Sequence, residues 1–224
     1  LMAPGGMASV IKLLAANPPE GWRASSCNTF SRRGAIQKMR RWQIAKKEIK
    51  TGDFDLVHIH CAAGWSYKRK ISIAKVANAP VIFHIHSGKF DIDAKSELKD
   101  YEIVCLSESW SEKLKPLIGD SISVSNPVSP PPIENVEREN FTLLMGRNDP
   151  IKGHAFAYSL DLDDLRVTGV ERAPGGVTAL GWVSEEEKWR LLQTAGCLIV
   201  PSEYEGQPMV ILEALSVGCP VVAS

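Results

Sequence analysis

Cys197-Leu-Ile-Val200-Pro201-Ser-Glu-Tyr-Glu205-Gly206-Gln207-Pro208-Met209-Val-Ile-Leu-Glu213-Ala-Leu-Ser-Val-Gly218-Cys-Pro220-Val-Val-Ala-Ser224 is the stretch that decides the fold. A short apolar run predicts a buried strand, and a glycine-containing loop follows it. Pro208 sits where a first helical residue tolerates the loss of its N–H. Gly218 then ends the helix, and Pro220 opens another strand. A strand, loop, helix and strand in this order form one turn of a parallel α/β sheet.

The same punctuation recurs upstream. Apolar, β-rich runs lie at Asp55–His60, Pro80–His86, Glu102–Leu106, Phe141–Met145 and Leu165–Thr168, with helical stretches between them. Alternating strands and helices predict parallel sheets with helices on both faces, so the fold class is α/β and doubly wound. Four prolines between Asn126 and Asn140 mark a linker. The expected organisation is an N-terminal domain over residues 1–126, a linker over 127–140 and a C-terminal domain over 141–224.

Composition narrows the function classes. At 44% apolar and 23% charged residues the 224-residue chain reads as globular. No apolar run approaches the roughly 18–20 residues that cross a bilayer, and no signal-peptide core stands at the N-terminus, so a cytoplasmic location is expected. The five cysteines are odd in number and form no Cys-x-x-Cys pair, which argues against a disulfide framework or a zinc site. No Gly-x-Gly-x-x-Gly follows a predicted strand, which disfavours a redox enzyme. No nucleic acid partner is expected.

A net charge of zero hides an asymmetry. Up to Val128 the chain has 19 Lys and Arg against 12 Asp and Glu, and beyond it 7 against 14. The basic first half suits an anionic partner or the inner face of a membrane. Within it, Arg32–Lys50 spaces Ala35, Met39, Trp42, Ala45 and Ile49 as one stripe of a basic amphipathic helix. Such a helix either docks on its own sheet or lies against anionic lipid.

The loop of the opening stretch carries the chemistry. A helix N-terminus after a parallel strand presents unpaired amides, and its partial positive charge suits phosphate. Glu205 in the loop and Glu213 in the helix are carboxylates that accept hydrogen bonds from vicinal hydroxyls of a sugar or ribose. Upstream, Phe141-Thr-Leu-Leu-Met-Gly146-Arg147-Asn-Asp-Pro-Ile-Lys152-Gly153 places an arginine and a lysine five residues apart after a strand, where both can neutralise a diphosphate.

Together these strings resemble glycosyltransferase family 4, whose E-x7-E region is commonly written E-G-x-P-x-V-x-L-E-A and is followed by G-x-P-V-V-A-S. The family's G-R-x4-K-G matches Gly146 to Gly153, and Leu180-Gly181-Trp-Val183 resembles its strand end beside the nucleotide base. Ser184 with Glu187 is a plain capping box. The resemblance implies the GT-B architecture, two Rossmann-like domains facing a cleft, here truncated or compact. It implies a retaining glycosyltransferase moving a sugar from a UDP- or GDP-sugar to a hydroxyl acceptor, with no cofactor or metal required. Arg147, Lys152, Gly181, Val183, Gly206, Gln207, Pro208, Met209 and Glu213 then hold the donor, with Glu205 catalytic.

In the first half, Asp55-Leu-Val-His58-Ile-His60 and Val81-Ile-Phe-His84-Ile-His86-Ser-Gly88 each end a strand in His-x-His. Alternation puts both members of a pair on one face, a ligand-like geometry, but no carboxylate or cysteine is suitably spaced and no metal is expected. The second pair resembles the family's H-x-H-G, which makes His86 the second catalytic candidate. Pro4-Gly5-Gly6 resembles its acceptor and phosphate loop, and Ser66-Tyr-Lys68-Arg69-Lys70 offers cations to an anionic acceptor. Members of the family are longer, so either a partner, such as another copy, covers the exposed edges or the chain is a compact version or fragment. The rival readings are a non-catalytic or partner-dependent nucleotide-sugar-binding protein and a GT-B nucleotide-sugar epimerase.

Overall fold

The computed structural model describes residues 5–31, 34–87, 97–133 and 136–224. Pro4 and Gly88 lie outside these residues. The chain divides into two compact units, Leu1–Pro127 and Val128–Ser224.

In the first unit four parallel strands, β1 (Val57–Cys61), β2 (Val81–Ile85), β3 (Glu102–Cys105) and β4 (Ile122–Ser123), add to one sheet in sequence order. The helices are α1 (Gly6–Ala16), α2 (Gly34–Thr51), α3 (Trp65–Ala74) and α4 (Glu108–Ile118). Alternation sorts each strand by face. Val57, Ile59 and Cys61 of β1 and Val81, Phe83 and Ile85 of β2 join Ala45, Tyr67, Ile71, Leu114 and Ile118 in one core. The residues between them, His58, His60 and His84, turn to the other face.

The helix expected over Arg32–Lys50 appears as α2, but only part of its stripe docks. Trp42 and Ile49 pack on the core and Ala45 is buried, with the Trp42 indole donating to Ser72 Oγ at 2.9 Å. Ala35, Ile36 and Met39 stay exposed, Ile36 at 83%. The stripe is continuous in sequence, yet only its later positions, Trp42, Ala45 and Ile49, reach the core.

The second unit holds β5 (Glu139–Leu144), β6 (Leu165–Val167), β7 (Val177–Ala179), β8 (Ala195–Val200) and β9 (Val221–Ala223), all parallel, in the order β7-β6-β5-β8-β9. The chain winds outward from β5 to β7, returns beside β5 as β8, and then winds the other way. That reversal is the hallmark of a doubly wound sheet, and ligands bind outside the carboxyl ends of its two central strands. The unit's helices are α5 (His154–Ser159), α6 (Glu185–Thr194) and α7 (Met209–Ser216). Phe141, Leu143, Leu192, Leu198, Ala214 and Val217 are among the residues of the core on one side; Leu144, Ala157, Leu165 and Val167 are among those on the other.

The proline-rich segment is engaged at its end. β5 already begins at Glu139, and Arg138 just before it donates to the carbonyls of Leu192 (3.1 Å), Ala195 (2.8 Å) and Val217 (2.8 Å). One guanidinium thereby satisfies carbonyls that the ends of α6 and α7 leave without helical partners.

Candidate functional site

The loops leaving β5, β6, β7 and β8 lie along the carboxyl edge of the second sheet and are bonded to one another. The Gly146 N–H donates to Thr168 Oγ1 at 3.3 Å, Gly169 N–H to the Gly181 carbonyl at 2.7 Å, and Gly181 N–H to the Val170 carbonyl at 3.0 Å. Glu203 N–H donates to the Ile151 carbonyl at 2.9 Å, joining the β8 exit loop to the β5 loop.

That closeness depends on Gly153. It has φ +69°, and a Cβ there lies 2.0 Å from the Pro201 carbonyl oxygen. A glycine is required on both counts, the left-handed backbone and the neighbour's position. The glycine of the K-G dipeptide thus brings the cation-bearing turn against the β8 exit.

At this junction Lys152 is ion-paired with Glu205. Its aliphatic stem packs over Gly146, within 3.7 Å of where a Cβ would stand. Arg147 forks onto Asp149, Nε at 3.0 Å and Nη2 at 2.9 Å from Oδ2, and its side chain is 61% exposed. Asp149 also accepts from Ile151 N–H at 3.2 Å and caps the single 3-10 turn Pro150–Lys152 that carries the lysine. Both cations are therefore held on carboxylates in a solvent-reachable place, where an incoming anion competes for them.

Glu205, Gly206 and Gln207 form the loop before α7. Pro208 occupies the N-cap rather than the first helical position, and Met209 begins the helix. No side chain caps α7, so its first amides face the loop without a carboxylate. Glu213, a turn further on, is buried and pairs with Lys188 of α6 at 2.7 Å. Burial raises its pKa against the opposing pull of Lys188. The two glutamates are thus held by different lysines. Lys188 also reaches Glu185 at 2.5 Å.

Gly181 is buried at the end of β7, Val183 packs against the core, and Trp182 between them is 66% exposed. Ser184 caps α6 by accepting from Glu187 N–H at 3.1 Å, one half of the capping box, while the Glu187 carboxylate turns to Arg190. His154 beside this edge is buried, and desolvation lowers its pKa.

In the first unit, Gly5 is the N-cap of α1 and Gly6 its first residue, both exposed. His86 lies just past β2. Its N–H donates to the Cys61 carbonyl at 2.8 Å, and its Nε2 is 2.9 Å from His60 Nδ1. Of the three cations after the first histidine pair, Lys68 stacks over Trp65 and Arg69 over Phe30, while Lys70 turns inward to the His60 carbonyl. Lys70 is therefore not on offer to an acceptor as expected, because its stem continues the buried face of α3.

Lys188, Asp149, Thr168 and Arg138 went unrecognised in the sequence. A lysine three residues after Glu185 reads as ordinary helix-surface pairing, and Asp149 reads as half of an Asp-Pro turn.

Comparison with known proteins agrees with this geometry. Residues 171–224 match the family described as Glycosyl transferases group 1. An uncharacterized glycosyltransferase of Methanocaldococcus jannaschii is 25% identical over 218 residues, covering 86% of this chain and 62% of that protein. Among solved structures, sucrose-phosphate synthase from Thermosynechococcus elongatus superposes with a TM-score of 0.65 at 18% identity, over 89% of this chain and 63% of its own. The accessory secretory protein 1, 2 and 3 structure of Streptococcus pneumoniae gives 0.50 at 8% identity, over 83% and 44%. The chain thus spans about three fifths of the length of the first two. The group 1 match lies on the β7-to-β9 half of a doubly wound sheet whose switch point carries a lysine–glutamate pair, so the chain is similar to group 1 glycosyltransferases in that stretch and to sucrose-phosphate synthase in its fold.

Proposed function

We propose that this chain moves a sugar from a nucleotide-diphosphate sugar to a hydroxyl acceptor with retained anomeric configuration. The observation that carries the reading is the Lys152–Glu205 ion pair at the β5/β8 switch point. A diphosphate arriving there takes Lys152 from Glu205 and Arg147 from Asp149, exchanging a carboxylate for a more highly charged anion at each cation. The released Glu205 then accepts hydrogen bonds from donor hydroxyls. Charge develops on the leaving diphosphate as its bond to the anomeric carbon breaks, and Lys152, Arg147 and the first amides of α7 stabilise it. Gly206, Gln207, Pro208 and Met209 line the approach, Gly181 and Val183 support the base, and Glu213 receives ribose hydroxyls.

His86 is assigned to the acceptor side, as a hydrogen-bonding group, with Gly5 and Gly6 at the mouth of α1. The exposed Ile36 and Met39 amid the basic residues of α2 support peripheral contact with anionic lipid on the cytoplasmic side.

Calorimetric titration with UDP, GDP and their sugar conjugates tests the donor site, followed by product analysis with simple glycoside acceptors. One nucleotide diphosphate binds, and Lys152→Ala weakens it at least about tenfold. Binding untouched by both Lys152→Ala and Arg147→Ala refutes the site. Tight donor binding without transfer or hydrolysis selects the non-catalytic reading.

A further inference from the structure

The four histidines of the first unit converge on one face of its sheet. Parallel register sets His60 of β1 directly opposite His84 of β2. The period of two puts His58 on the same face, away from the apolar side that builds the core. The rings of His58 and His84 stack at 5.5 Å with 6° between planes, and those of His58 and His60 lie 4.3 Å apart. One nitrogen from each of His58, His60 and His84 falls within 4.8 Å of the other two.

We propose that His58, His60 and His84 bind one divalent transition-metal ion, with His86 as the residue that positions His60. A tetrahedral ion holding nitrogens at about 2.0–2.1 Å sets them about 3.3 Å apart, so side-chain rotation has to close the group by on the order of 1.5 Å.

An independent observation points to a ligand here. His84 is 97% buried, and neither of its ring nitrogens has a hydrogen-bond partner. Buried polar atoms in this state are rare, and a bond to a metal gives one of the two nitrogens a partner. The 2.9 Å contact between His60 Nδ1 and His86 Nε2 supplies the outer-shell hydrogen bond that fixes a ligating imidazole's tautomer, leaving the His60 Nε2 lone pair for the ion.

The donor set decides the class of ion. Three imidazoles, with no carboxylate joining them among the described residues, suit zinc, nickel, cobalt or copper and not magnesium or calcium. His58 is exposed and gives the ion its way in, with water completing the coordination. The half-buried Lys70 donates to the His60 carbonyl at the rim, and its charge opposes the ion. The affinity is therefore expected to fall below that of a closed structural zinc site.

The test uses the whole 224-residue chain without a histidine tag, stripped of metal by a chelator. Titration with Co2+ is followed by the visible d–d bands of tetrahedral cobalt and by calorimetry, and Zn2+ is then added in competition. One Co2+ binds per chain, and Zn2+ displaces it. His58→Gln and His84→Gln each weaken Co2+ binding at least about tenfold, and His86→Gln weakens it about tenfold while keeping the stoichiometry. Circular dichroism checks each variant's fold, and the exposed His58 supplies the deciding result if His84→Gln does not fold. Uptake well below one ion per chain overturns the proposal. Affinity unchanged in His58→Gln does so as well, since the ion then sits on cysteines or the outer surface.

Discussion

Gly153→Ala is the sharpest test of how the donor site is built. The new methyl meets two obstacles. At φ +69° an L-residue pays about 1–2 kcal/mol for the left-handed backbone alone. Its Cβ also stands 2.0 Å from the Pro201 oxygen and 2.9 Å from the Pro201 carbonyl carbon, so the two backbones must part by about 1.4 Å to reach van der Waals contact. Parting them breaks the Glu203 N–H bond to the Ile151 carbonyl, worth about 1 kcal/mol net. A loss of about 3 kcal/mol in urea unfolding is expected. Lys152 precedes the substituted residue and Glu205 follows the displaced strand exit, so donor affinity falls too. A misplacement of about 1 Å is enough for a loss on the order of a hundredfold in activity. Gly175→Ala is the control, since nothing lies within 4 Å of its Cβ and its φ is not left-handed. Were Gly153→Ala to unfold within about 0.5 kcal/mol of the parent and bind nucleotide diphosphate as well, the argument that this glycine sets the β5–β8 junction would fail.

Arg138→Ala removes three bonds from a cation to carbonyls at the ends of α6 and α7, and a loss of about 3 kcal/mol is expected in denaturant unfolding. Arg138→Lys recovers less than half of it because an ammonium cannot span the same three oxygens, and full recovery would count against the fork geometry. Glu213 has a folded-state pKa above its ordinary 4.5, so the folded chain holds that proton more tightly than the unfolded one. Wild type therefore loses stability relative to Glu213→Gln as pH rises from about 4.5 through the raised value, and the difference is constant beyond it. Paired melting curves across that range check the sign, and a relative gain by wild type would reverse the reasoning. Burial pushes the Cys61 thiol up to about 12, and burial with the Glu48 carboxylate does the same for Cys27. At about pH 8 both are expected to resist iodoacetamide in the native protein, read by peptide mass mapping; modification as fast as in the unfolded chain would show the thiols to be open.

Much of the fold is legible because buried parallel strands are short apolar runs bounded by glycine and proline. β1, β2, β3, β6 and β8 were each anticipated to within a few residues on that ground alone. Strands that lack the signal escape it. β4 is two exposed residues at a sheet edge, and β7 is the three residues Val177–Ala179, none of them buried. The helical stripe of α2 was legible as a period, but period does not say how far along it a partner extends. Trp42 finds Ser72, whereas Met39 finds solvent. Arg138 carried no local signal, since its partners lie 54 to 79 residues further along the chain.

The site was legible to the extent that spacing within one loop carries chemistry. Arg147 with Lys152, and Glu205 with Glu213, announce themselves as charges after strands. What joins the two loops is strand order, and strand order is a property of the sheet. Lys152 and Glu205 are 53 residues apart and meet because β8 returns beside β5, where the winding reverses. The same limit governs the histidines. Each His-x-His is a pair in its own strand with no third ligand nearby in sequence, so the spacing pointed away from a metal. Register across the sheet then set His60 against His84 and supplied the third ring. In both units, side chains that prepare a strand end for chemistry were visible one strand at a time, while their partners were chosen by which parallel strand lay alongside. A lysine held on a glutamate between two such strands is also a site tuned by its own counter-ion. On the proposed reading the anion that binds must outbid Glu205, which favours a diphosphate over a monoanion at the same place.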